Sequence, residues 1–131
     1  MIDVHRDSVG QLDFLLSARS FPSQVRLVYL GKPRPVAGRR MELLRKWEKM
    51  MKRPVSVVEL FQTEVLFREG NKEYWLPVQK PLIDALKKEV KLGQAINAYV
   101  IFMGGAKLEN RWEWLFAMNE FDANQSQSPA Q

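Results

Sequence analysis

Between Thr63 and Val78 (TEVLFREGNKEYWLPV) two alternating apolar runs flank Gly70-Asn71. Such a two-residue turn needs a positive φ, which glycine supplies, and the pattern predicts a β-hairpin. Counting outward from the tip sets Glu69 against Lys72, Arg68 against Glu73, Phe67 against Tyr74, Leu66 against Trp75 and Val65 against Leu76. Opposite charges near the tip and apolar pairs below it are what an antiparallel ribbon selects. A slip of one residue would exchange its two faces.

The rest of the chain divides around this hairpin. Ser8 and Gln11 stand at capping-box spacing ahead of Val9, Leu12, Leu15 and Leu16, which predicts an N-terminal helix over 7–20. Val25, Leu27 and Tyr29 alternate as a strand. Gly31-Lys-Pro-Arg-Pro35 is expected to be an extended connector over 31–37, because each proline lacks an amide and restricts the residue before it. A basic amphipathic helix is predicted over 40–52, with Leu43, Leu44, Trp47, Met50 and Met51 on its apolar face and Arg45, Lys49 and Lys52 opposite. Val55 to Phe61 reads as a strand entering the hairpin, with a bulge near Gln62.

Past the hairpin, Pro81 opens a helix carrying Leu82, Ile83, Leu86 and Val90 on one arc, and Gly93 is placed to cap it. Strands follow at 95–103 and 111–121, and between them Gly104-Gly105 and Asn110 mark a loop or a bulged hairpin tip. The predicted architecture is a single α+β domain over 1–122, with a hairpin–helix–hairpin core over 55–121. It is mainly an antiparallel sheet or a small β-barrel, OB-like or SH3-like, of about five strands with two to three helices. Most strands are apolar on both faces, so one face needs helices and the other a second layer or closure. The residues 123–131 are uncharged and polar and are expected to be disordered.

Composition narrows the chemistry. Among the 131 residues there is no cysteine and one histidine, His5. Disulfides, thiolate chemistry and histidine-rich metal sites therefore lack residues to build them. No glycine-rich phosphate-binding or nucleophile-elbow pattern occurs. No apolar run approaches the roughly 20 residues of a membrane span, and the acidic start (Asp3, Asp7, Asp13) lacks a secretory pattern, so a cytoplasmic protein is expected.

Charge is concentrated. The net charge is +5, yet Lys32 to Arg53 alone holds nine basic and two acidic residues, a net of +7. Lys32, Arg34, Arg39, Arg40, Arg45, Lys46, Lys49, Lys52 and Arg53 are thus the candidate ligand-binding cations, with Trp112 and Trp114 as candidate stacking residues. Arg39 and Arg40 sit where the helix dipole disfavours cations, which argues for a role.

The leading expectation is a non-enzymatic binding module without cofactor, holding a polyanion, nucleic acid first, through 32–53. The alternatives are a protein-interaction module with an exposed aromatic sheet face, and a hydrolase using carboxylates among Glu64, Glu113 and Glu120.

Overall fold

The computed structural model describes residues 4–6, 14–17, 22–52, 56–108 and 111–123. The hairpin lies at its centre. Strands β4 (Thr63–Glu69) and β5 (Lys72–Val78) pair in the register expected from the turn, from Glu69↔Lys72 down to Thr63↔Val78. Gly70 takes φ 62 at the tip, and Arg68 Nη1 donates to its carbonyl at 2.7 Å.

A five-stranded barrel is built outward from this ribbon. β3 (Ser23–Pro35) pairs with the free edge of β4, β6 (Ala95–Leu108) pairs with β3, and β7 (Arg111–Asp122) pairs with β6. Closure comes from a parallel pairing of β7 with β5 at Val78↔Met118. Beside it, Gln79 Nε2 donates to Asn119 Oδ1 at 2.7 Å. This mixed barrel, with helix α3 (Lys80–Glu89) between its third and fourth strands, has an OB-like connectivity. The long β6 also carries β2 (Phe14–Ser17) on the edge that β3 leaves free beyond Val100, and β1 (Val4–Arg6) pairs with β2.

Two cores explain why the strands are apolar on both faces. Inside the barrel, Leu27, Tyr29, Val65, Phe67, Leu76, Val78, Ile96, Ala98, Val100 and Met118 pack together, and Leu86 with Val90 closes one end. On the outer face of β6 and β7, Ile101, Met103, Leu115 and Ala117 pack with Phe14 and Leu16 of β2 against helix α1 (Gly38–Met51) and the single turn α2 (Val57–Leu60). Leu43, Leu44 and Trp47 of α1 are buried there, as its 3.6-residue period requires. Trp47 Nε1 donates to the Ser17 carbonyl at 3.0 Å and ties α1 to β2. Burial raises the pKa of the Tyr29 phenol above its ordinary value.

Several expectations are corrected. The predicted helix over 7–20 fails where it is described: Phe14–Ser17 is a strand, with Phe14 and Leu16 alternating into the outer core, because the open edge of β6 offers a ladder that outweighs helical spacing. The remainder of 7–20 lies outside the described residues.

Gly31 to Pro35 is not a connector but the end of β3, with Pro33↔Val65 and Pro35↔Thr63 in register after a bulge at 30–32. The Val36 amide donates to the Gln62 carbonyl at 2.9 Å. Alternate residues point their amides the same way, so the nitrogens of Pro33 and Pro35 face the edge that no strand occupies among the described residues, where a missing donor costs nothing.

Val57–Leu60 is a helical turn rather than part of a strand. Ser56 Oγ accepts from the Glu59 amide at 3.2 Å, and Glu48 Oε1 accepts from the Val58 amide at 2.9 Å, which satisfies the donors at its start. Of the two readings of Gly104-Gly105, a loop or a bulged hairpin, the structure takes the bulge, which lies within β6. α3 ends in an extended Val90, and Gly93 makes the following turn, its amide bonding the Tyr29 carbonyl at 2.8 Å. Of the expected tail, Ala123 packs against the barrel core and 124–131 lie outside the described residues.

Candidate functional site

The seam that closes the barrel also opens a cleft. The β5–β7 ladder is a single residue pair, and between the N-terminal portions of the two strands lies a cleft of about 610 Å³. Its β5 wall is Trp75, set on the outer face by its position opposite Leu66. The Arg34 guanidinium lies 4.0 Å above that indole ring, a cation–π interaction. Its β7 wall is the Trp112–Trp114 pair, two residues apart on one face of the strand, with rings stacked at 5.9 Å and 13°.

Trp114 is 47% exposed, which is unusual for so large a ring. Its position depends on Gly105, its neighbour across the ladder: a Cβ there would stand 2.5 Å from Trp114 Cε3. Phe102 continues the aromatic row, 6.0 Å from Trp114 and 4.9 Å from Phe116.

Beneath the cleft lies an ion cluster centred on a buried carboxylate. Glu64 is 1% exposed and accepts from Arg34 Nε at 2.7 Å, from Arg40 Nε at 2.9 Å and from Arg40 Nη2 at 2.7 Å. Arg40 also donates to the Trp75 carbonyl at 2.9 Å, and its Nη1 lies 3.6 Å from Glu113 Oε1. The cation at the start of α1 therefore has counter-charges from two strands. That answers the unfavourable dipole position with a structural role.

The candidate cations part ways in space. Arg34 and Arg40 reach the cleft, and Glu64 holds both. Arg39 and Lys46 lie over the Phe14 ring, at 5.4 and 5.2 Å. Arg45, Lys49 and Lys52 are exposed along α1, and Lys32 is exposed at the β3 bulge. Arg53 lies outside the described residues.

Glu64 stands out in the sequence as a carboxylate among aromatics and Trp75 as a strand aromatic, but their partners are not legible there, since Arg34 and Arg40 come from β3 and α1. Glu64 and Glu113, two of the candidate hydrolytic acids, meet at the same guanidinium, while Glu120 is exposed on β7. Both Glu64 oxygens are already accepting hydrogen bonds.

Among the described residues no cluster of three or more His, Cys, Asp or Glu could hold a metal ion, and no helix is long and apolar enough to cross a membrane. Comparison with protein families, curated proteins and solved structures found no match to this chain.

Proposed function

We propose that this protein is a non-enzymatic module that binds single-stranded nucleic acid, with bases stacking in the seam cleft and phosphates following the exposed cations of the 32–53 segment. The observation that carries the reading is the parallel Trp112–Trp114 stack, half-open to solvent and seated on Gly105. A small domain gains little stability from a ring held half in water, whereas every nucleobase presents a π-face that such a ring can bind. Arg34, over the Trp75 ring, adds a guanidinium group on the opposite wall, and bases stack on guanidinium planes as well as on aromatic rings.

The position of the cleft supports the same reading by architectural analogy. OB-type barrels bind oligonucleotides on the face of their second and third strands, beside the loop joining the first and second. Here those are β4, β5 and the segment containing α1. Lys32, Arg45, Lys49 and Lys52 are exposed and available to phosphates.

One observation favours a protein partner instead. Arg34 and Arg40 share the cleft with Glu73 and Glu113 and are both held by Glu64, so the cleft itself has no surplus of positive charge. Tryptophan fluorescence during titration with short oligo-dT, from low to moderate salt, separates the two. Nucleic acid binding predicts quenching and an affinity that falls with salt by about 0.7 log units per log unit for each phosphate neutralised. An unquenched signal at low salt would overturn it and leave the protein-partner reading.

A further inference from the structure

The end of the barrel opposite α3 opens into a second cavity of about 200 Å³, walled by Val25, Leu27, Leu76 and Val100, with the rings of Tyr74 and Phe116 at its boundary with the seam cleft. Those two residues line both spaces, so the cavity adjoins the stacking site. One charged side chain lines it: Glu69 continues the inward row of Val65 and Phe67, and its exposed carboxylate stands at the rim of a lining that is otherwise apolar but for Ser23 and the Tyr74 phenol. Lys72 lies opposite in the ladder, but no ion pair joins the two.

Size and charge together define the occupant. A cavity of about 150 Å³ accepts a benzene ring, so this one suits a substituted six-membered ring rather than a purine. A carboxylate can only accept hydrogen bonds, so the ring must present a donor. Cytosine offers its N4 amino group, where thymine carries the O4 acceptor beside a methyl group; the one donor of an unpaired thymine, N3–H, lies between O2 and O4, two acceptors that a carboxylate would meet unfavourably.

We infer that the barrel mouth receives one cytosine of a strand held in the seam cleft, its amino group donating to the Glu69 carboxylate. The inference rests on the stacking reading above, and it adds a base preference that stacking alone does not produce.

The test compares oligo-dC, oligo-dT and oligo-dA of equal length, using tryptophan quenching of the full chain. The expected result is oligo-dC bound roughly three- to tenfold more tightly than oligo-dT, the range of one net hydrogen bond. Glu69→Ala should bring the ratio to about one by removing the acceptor, and Val25→Trp should do the same by filling the mouth. Equal affinity for oligo-dC and oligo-dT, a preference that survives both substitutions, or tightest binding of oligo-dA overturns this inference and leaves the stacking reading standing. Absence of binding to all three overturns both.

Discussion

Arg40, in the first turn of α1, grips the carboxylate of Glu64 on β4 through Nε and Nη2 at 2.9 and 2.7 Å, with the arginine side chain 11% exposed and the glutamate 1%. This bidentate pair fastens the outer-core helix to the barrel across 24 residues of sequence. Removing one partner of such a pair strands the other as a buried charge. Glu64→Ala is therefore expected to cost about 3–5 kcal/mol in denaturant unfolding. Arg34→Ala should cost under about 1 kcal/mol, because its side chain is 42% exposed and water can take its place. Equal costs for the two would show that the cluster is not organised around Arg40.

Trp47 and Trp114 should respond oppositely to truncation. Trp47 is buried between α1 and β2, and Trp47→Ala should destabilise by about 3–5 kcal/mol. Trp114 is half-exposed, so Trp114→Ala should leave the unfolding midpoint nearly unchanged and weaken oligonucleotide binding by about 1–3 kcal/mol, the worth of one base–aromatic stack. Gly105→Ala should reproduce that weakening without removing the ring, since the new Cβ displaces it from its seat. Unchanged affinity in both variants would exclude the Trp112–Trp114 stack as the platform.

Reversing the exposed α1 charges tests the path of the phosphates. Arg45→Glu, Lys49→Glu and Lys52→Glu together should weaken binding at low salt. They should also flatten the slope of log affinity on log salt by about 0.7 for each phosphate no longer neutralised. The fold should persist, because none of the three is buried. A wild-type slope would place the phosphates elsewhere.

Tyr29 should make the barrel sensitive to alkali. Its phenol is held above the ordinary value by burial, so the unfolded chain loses that proton first as pH rises. Stability from this group is complete below the unfolded phenol value of about 10, and declines as pH climbs through the higher folded value. Urea midpoints measured from neutral to strongly alkaline pH should fall less steeply for Tyr29→Phe than for wild type. Parallel profiles would show that the Tyr29 phenol does not set the alkaline limit.

The elements legible in the sequence were those whose signals lie within one turn or one ribbon. The hairpin register followed from Gly70-Asn71 and a two-residue period, and the buried face of α1 from Leu43, Leu44 and Trp47 at helical spacing. Phe14–Ser17 and Val57–Leu60 misled because short apolar runs fit either period, and long-range partners decided between them: the free edge of β6 for the first, the Glu48 carboxylate for the second. Arg34, Arg40, Trp112 and Trp114 stood out by residue type, yet nothing local revealed that Glu64 would hold both arginines or that Gly105 would seat Trp114.

By itself, then, the sequence determined an α+β chain built on the β4–β5 hairpin and two amphipathic helices, because periodicity and turn chemistry act over a few residues. The tertiary structure decided the closure of β5 on β7, the division of the basic segment between the ion cluster around Glu64 and an exposed helix face, and the cleft beside the seam. Each of these depends on side chains meeting from distant strands, and their energies arise only once the barrel has brought them together.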